Sequence, residues 1–245
     1  SLILKLTQDI EWDVQIPEEL NSRMSCLVIS NHRSWADILV LQHLLKNRVP
    51  FLKFFLKKEL MWVPLLGTAW WALDFPFMKR YSRDFLEKHP ELKGRDIETT
   101  RKYCERFKCT PIAIINFLEG TRFDFRKREK LQSPYMHLLP PKAGGAGIVL
   151  SAMGDHLTAI IDVTIVYPEN EPPVTFWTFL KGRVPVVAVR MRQVPIPREF
   201  VGRNYEQDEA FRDRFRQWVN DLWVQKDRQI DNILKSHQQR AAPAA

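Results

Sequence analysis

Short apolar runs alternate with stretches of helical period along most of this chain. Residues 27–29 form one such run, cut off by the polar corner Ser30, Asn31 and His32. From Ser34 the spacing turns helical, with Ile38, Leu39, Leu41, Leu44 and Leu45 forming an apolar stripe that ends near Asn47. Ser34 and Asp37 have the S-x-x-D form of a helix start. Residues 1–24 alternate enough for an edge strand or two, 51–56 read as a short buried strand, and 75–80 as a strand edge. Residues 95–107 predict a polar helix with Ile97, Tyr103, Cys104 and Phe107 inward. Residues 111–117 are apolar on both faces, which predicts a central, parallel strand. A basic loop over 126–130 and a helix over 146–153 follow, then a buried strand over 159–167 stopped by Pro168. Residues 184–193 read as a half-exposed or edge strand, and 209–236 as a long amphipathic helix carrying Phe211, Phe215, Trp218, Val219, Leu222, Trp223, Ile230 and Leu234.

This alternation predicts an α/β fold: one domain over 1–240 with a mixed, largely parallel sheet flanked by helices, and a disordered tail at 241–245. In open parallel sheets ligands bind beyond the carboxyl ends of the strands. Three such ends carry polar clusters: Asn31 and His32, then Glu119 to Arg122, then Tyr167 and Pro168. His32 and Asp37 are five apart, off a common face of one regular helix. They meet only if His32 precedes the helix and Asp37 lies in its first turn. On these residues alone two readings stand. Asp37 caps the helix beside an ordinary corner histidine, or it fixes the tautomer of a basic His32. For the second cluster the choice is similar: an internal Glu119–Arg122 pair, or an anion site on Arg122 and the Gly120–Thr121 backbone.

Charge favours an anionic partner. The formal net charge is +8, and residues 46–142 hold 21 basic against 11 acidic side chains. Eight Trp and fifteen Phe make a heavy aromatic load. Cys26, Cys104 and Cys109 show neither C-x-x-C spacing nor an obvious pairing, which suggests a reducing compartment. No window of about eighteen uncharged apolar residues occurs, so no spanning helix is expected. His43, His89, His137 and His156 are scattered, no further ligands cluster beside His32, and no metal is expected. No G-x-S-x-G elbow supports a serine hydrolase, and no nucleic-acid motif is present.

Taken together, Asn31-His32-x4-Asp37, Lys57 to Leu60 with Pro64 and Gly67, Phe77-x-x-Arg80, Phe117 to Arg122, and Val163 to Pro168 resemble the ordered blocks of the glycerophospholipid acyltransferase family. The resemblance covers about residues 24–170 and is nearest the branch with lysocardiolipin-type members. It implies a membrane-associated enzyme, on the cytoplasmic face, with no cofactor. Such an enzyme moves an acyl chain from acyl-CoA or acyl-carrier protein to the free hydroxyl of a lysophospholipid, with 1-acyl-sn-glycerol 3-phosphate the leading acceptor. Other lysophospholipids, or a basic lipid-binding module with a vestigial site, are the alternatives. By the same resemblance His32 is the base and Asp37 its orienting partner, with no acyl-enzyme. Lys57 (or Lys58), Arg80 and Arg122 hold the acceptor phosphate in a pocket shaped by Glu119, Gly120 and Thr121, while Asn31, Tyr167 and Pro168 support the site. An anionic membrane surface is the expected partner, met through Trp62, Trp70, Trp71, Phe54, Phe55 and nearby cations. One departure is Leu118, where the family commonly has proline; the exchange is expected to loosen that turn.

Overall fold

A computed structural model describes residues 10–54, 56–57, 61–62, 66–73, 75, 77–78, 88–89, 98, 102–105, 110–169, 173–201, 203–205 and 207–241. In chain order the elements are β1 (Glu11–Gln15), β2 (Cys26–Ser30), α1 (Ala36–Leu45), β3 (Leu52–Phe54), β4 (Leu56–Lys57), α2 (Leu66–Ala72) and β5 (Phe77–Met78). Then come β6 (Ala113–Phe117), α3 (Phe125–Lys130), α4 (Gly144–Met153), β7 (Ala159–Val166), α5 (Phe176–Leu180), β8 (Val186–Val194) and α6 (Glu209–Ala241).

Six strands form one sheet in the order β1-β8-β7-β2-β6-β3, and β4 pairs with β5 in a separate ribbon. β7, β2, β6 and β3 run parallel; β8 is antiparallel to β7, and β1 follows β8. The single reversal puts four carboxyl ends on one edge, beside the starts of β8 and β1. β2 and β7 are buried at every position, as strands covered on both faces must be. The even-numbered residues of β6 and β7 pack with α4 and α6; the odd-numbered ones pack with α1 and with Phe179 of α5. Gly147 lets α4 sit close, since a Cβ there would lie 2.2 Å from the Tyr205 ring.

One polar exception interrupts β7. Asp162 is buried, and Lys226 reaches in from α6 to lie 2.6 Å from it, with Val163 O at 2.5 Å and Thr164 Oγ1 at 3.2 Å. Arg192 closes the cluster at 2.9 Å. Burial, the largest influence, pulls the Lys226 amine below the ordinary lysine range against the pull of Asp162.

Several expectations change. Residues 126–130 are not a loop but α3, because Asp124 accepts the Arg126 N–H at 2.8 Å and starts a helix. β8 is not an edge strand, since β1 covers its other side. β2 and β7 hold the centre of the sheet, with β6 one place from the β3 edge. α5 was not expected at all. Of the predicted helix over 95–107, residues 98 and 102–105 are helical, with Tyr103 and Cys104 buried; Ile97 and Phe107 lie outside the described residues. Residues 1–9 and 242–245 lie outside them as well. Cys26 and Cys104 are free and buried, and burial pushes both thiols up to about 12. Among the described residues no helix is long and apolar enough to cross a membrane.

Candidate active site

Three adjacent strands, β6, β2 and β7, end side by side, and each delivers part of one polar cluster. Asn31 leaves β2 fully buried and spends its amide on the next strand. Its Nδ2 donates to Ile165 O and its Oδ1 accepts the Ile165 N–H, both at 2.8 Å. The side chain thereby adds one more rung to the β2–β7 ladder as the main chain turns away.

His32 occupies the corner before α1, and Asp37 lies in its first turn. His32 Nδ1 is 2.8 Å from Asp37 Oδ2, and the ring stacks on Phe117 with centroids 4.1 Å apart. With Nδ1–H donating to the carboxylate, Nε2 carries the lone pair, and it has no partner among the described residues. The side chain keeps 13% of its surface exposed. The capping and orienting roles of Asp37 do not compete, contrary to expectation. Its Oδ2 accepts from His32 and also from the Arg33 and Ser34 N–H groups, at 2.7 and 2.9 Å. Ser34 Oγ in turn accepts the Ala36 N–H at 3.1 Å. Asp37 Oδ1 takes the Tyr167 hydroxyl at 2.7 Å. Burial first, and then the Asp37 charge, raise the Tyr167 phenol well above its usual range, so it stays a donor. Pro168 follows where β7 has ended.

The turn after β6 grips the same corner from the other side. Glu119 is buried, its Oε1 accepting the His32 N–H at 2.8 Å and its Oε2 the Leu139 N–H at 2.9 Å. Phe123 N–H donates to His32 O at 2.7 Å. Both backbone groups of His32 are thus fixed by this one turn. Burial pushes the Glu119 carboxyl up to about 7, against the two N–H groups that pull it down. No Glu119–Arg122 pair forms; Arg122 is exposed, its guanidinium 5.4 Å from the Trp35 ring. Gly120 has φ +67°, and the Lys142 side chain lies across it, with Nζ 3.3 Å from where a Cβ would be. Lys127 Nζ donates to Thr121 Oγ1 at 2.9 Å and to Arg122 O at 3.0 Å. Leu118 does not loosen this turn. Its N–H donates to Ser30 O at 3.2 Å, a bond proline could not make, and its own carbonyl accepts the Lys142 N–H at 2.6 Å.

The structure therefore brings His32, Asp37, Glu119, Gly120, Thr121, Arg122, Asn31 and Tyr167 together. Lys57 lies in β4 with its side chain outside the described residues, and Arg80 lies outside them entirely. Sequence reasoning missed Arg33, Lys127, Lys142 and Asp227. Arg33 donates to His137 O at 3.1 Å and sits 4.4 Å from the Phe123 ring centre. Asp227 on α6 accepts the Met136 and His137 N–H groups at 2.9 and 2.7 Å, and Trp223 Nε1 donates to Leu139 O at 3.0 Å. Arg33 was findable, standing beside His32 in the corner; the α6 contacts leave no local signal.

The chain is 28% identical over 230 residues to 1-acyl-sn-glycerol-3-phosphate acyltransferase 3 of Arabidopsis thaliana, covering 88% of this chain and 55% of that protein. It is 23% identical over 235 residues to 1-acyl-sn-glycerol-3-phosphate acyltransferase epsilon of Mus musculus, covering 88% and 60%. The chain therefore spans less than two thirds of the length of these curated relatives. The crystal structure of a 1-acyl-sn-glycerophosphate acyltransferase from Thermotoga maritima gives a TM-score of 0.49 at 18% identity, covering 90% of this chain and 78% of that one. A family model described as Acyltransferase matches residues 11–168, a span that contains the His32–Asp37 pair, the Glu119–Arg122 turn and Tyr167. The chain belongs to the Acyltransferase family.

Proposed function

We propose that this protein transfers a fatty acyl chain from acyl-CoA or acyl-carrier protein to the free hydroxyl of 1-acyl-sn-glycerol 3-phosphate, giving phosphatidic acid. The observation that carries the proposal is the His32–Asp37 pair, whose Nε2 has no partner among the described residues, set beside a turn rimmed by Arg122, Lys127 and Lys142.

In this mechanism His32 Nε2 takes the proton of the acceptor hydroxyl as its oxygen attacks the thioester carbonyl carbon. The C–O bond forms, the C–S bond breaks, and the leaving thiolate recovers the proton from His32. Asp37 holds the tautomer and stabilises the imidazolium as it forms. A thioester is already activated, so a positioned base is enough and no acyl-enzyme is needed. Arg122, Arg80 and Lys57, joined by Lys142, bind the acceptor phosphate. Gly120 and Thr121 shape that pocket. Glu119 acts through His32, because both its oxygens are committed to backbone N–H groups. The acceptor is an amphiphile, so the protein works at a membrane surface.

Incubating the purified protein with lysophosphatidic acid and an acyl-CoA should release free CoA. His32→Ala should lower that rate by at least ~10²-fold while the protein stays folded by circular dichroism. Full activity in that variant would remove His32 from the mechanism.

A further inference from the structure

The connection between β7 and β8 leaves and re-enters the sheet at the edge where His32 sits. β7 ends at Val166, Tyr167 turns in to Asp37, and β8 begins at Val186, with Ala188 paired to Val166. Between them lies α5, which is firmly fixed to the body. Phe179 is fully buried in the cluster that also contains Ala36 and Val40 of α1. A reciprocal cap starts the helix: Thr175 Oγ1 accepts the Thr178 N–H at 3.0 Å, and Thr178 Oγ1 accepts the Thr175 N–H at 2.8 Å. Gly182, at φ +67°, ends it, and Pro185 O accepts the Glu11 N–H of β1 at 2.8 Å.

What this fixed element presents to solvent is apolar. Phe176 is 38% exposed, Trp177 67% and Leu180 41%, with Lys181 and Arg183 exposed directly after them. The acidic side chains of this connection, Glu169 and Glu171, both precede the helix, and none follows it before β8. One exposed aromatic on a surface needs no explanation, but three apolar side chains on a capped five-residue helix, followed by two cations, do.

We infer that α5 and the two cations after it form a docking surface for an anionic phospholipid membrane, which brings the site edge to the bilayer. Trp and Phe favour the water–lipid boundary, and each nearby cation adds about 1 kcal/mol against an anionic leaflet. Glu169 and Glu171 stand ahead of the helix in the same connection, whereas Lys181 and Arg183 directly follow its apolar side chains, and it is this placement of the cations next to the apolar face that selects an anionic surface over a neutral one. This inference adds a second contact region to the Trp62 and Trp71 stretch and lies outside the span that the family model matches. It rests on the lipid acyltransferase reading only for its purpose; membrane binding can be measured without turnover.

The test floats the full chain with vesicles of phosphatidylcholine alone and of phosphatidylcholine with phosphatidic acid. Wild type should bind the mixed vesicles, and Trp177→Ser/Leu180→Ser should weaken this at least ~10-fold without shifting the melting temperature. Lys181→Gln/Arg183→Gln should weaken binding to mixed vesicles and leave the residual binding to neutral ones unchanged. Turnover of a short-chain, water-soluble lysophosphatidic acid should be the same in wild type and both variants. Unchanged vesicle binding in Trp177→Ser/Leu180→Ser overturns the inference, as does equal wild-type binding to neutral vesicles. A lipid-free wild-type dimer that becomes monomeric in that variant also overturns it, making α5 a contact between copies. If the soluble substrate is not turned over but binding still depends on α5, the enzyme reading fails and the docking surface stands.

Discussion

At the scale of single residues, the site depends on how two carboxylates are used. Asp37 accepts four donors on two oxygens, so it cannot turn away from the histidine it orients without breaking a helix start. Asp37→Asn should therefore lower the rate by at least ~10²-fold, through loss of the correct tautomer as much as of charge. Tyr167→Phe removes one hydrogen bond to a charged group and should cost about 1.5–3 kcal/mol of stability, with a much smaller loss of rate. Thermal melts and CoA-release rates on the pair separate the two effects. Glu119 makes a different claim. Its carboxyl is raised to about 7 when folded, above the 4.5 of an ordinary glutamate. The unfolded chain therefore binds fewer protons between those values, and this group's contribution to stability is full below about 4.5 and lost as pH rises through about 7. Glu119→Gln cannot titrate and offers one acceptor to two N–H groups, costing about 1–3 kcal/mol. The gap between wild-type and variant melting temperatures should narrow from pH 5 to pH 8. A gap that widens over that range would show that burial does not govern Glu119.

At the scale of elements, what could be seen in the sequence tracks how local the physics is. The His32–Asp37 contact was legible because a strand end, a corner and a helix start lie within a dozen residues and fix one another. β2 and β7 were legible because burial on both faces leaves continuous apolar runs. α3 was misread because Asp124 starts a helix that carries no apolar stripe. α5 was missed because five residues are too few to show a period. Leu118 was misjudged because a missing proline says nothing of where a freed N–H will point. Leu118→Pro should accordingly destabilise the protein by roughly 1–3 kcal/mol, losing a strand-end hydrogen bond and a buried side chain. A higher melting temperature in that variant would refute the account. Asp162 in the middle of a buried strand made no sense without its partner sixty-odd positions on. Lys226→Met leaves a buried carboxylate with only Arg192 and should cost about 3–5 kcal/mol. The paired change Lys226→Met with Asp162→Val should recover most of that loss, which urea melts of the three variants would measure.

At the scale of the whole molecule, the candidate site is held by residues beyond the span that the family model matches. α6 runs 33 residues, about 50 Å at 1.5 Å per residue, and crosses the body in several places. Its middle fixes Asp162 of β7 through Lys226, and near its end His237 lies 3.0 Å from Asp13 of β1. On either side of Lys226, Trp223 and Asp227 hold the backbone of the loop at Met136, His137 and Leu139. That loop passes the constraint on, since His137 O accepts from Arg33 and Leu139 N–H donates to Glu119, which holds His32. A helix on one face of the sheet thereby sets the position of His32 at its edge. Asp227→Ala tests this directly, because the side chain bonds to Met136 and His137 and not to His32, Asp37 or the turn after β6. It should lower kcat several-fold while leaving KM for the acyl donor little changed, since misplacing a base by a fraction of an ångström slows chemistry more than binding. Amide hydrogen exchange should rise at Met136 and His137 and at the backbone N–H of His32, and stay constant in β2 and β7. Faster exchange confined to Met136 and His137, with kcat unchanged, would show that α6 only anchors the loop and does not position the histidine.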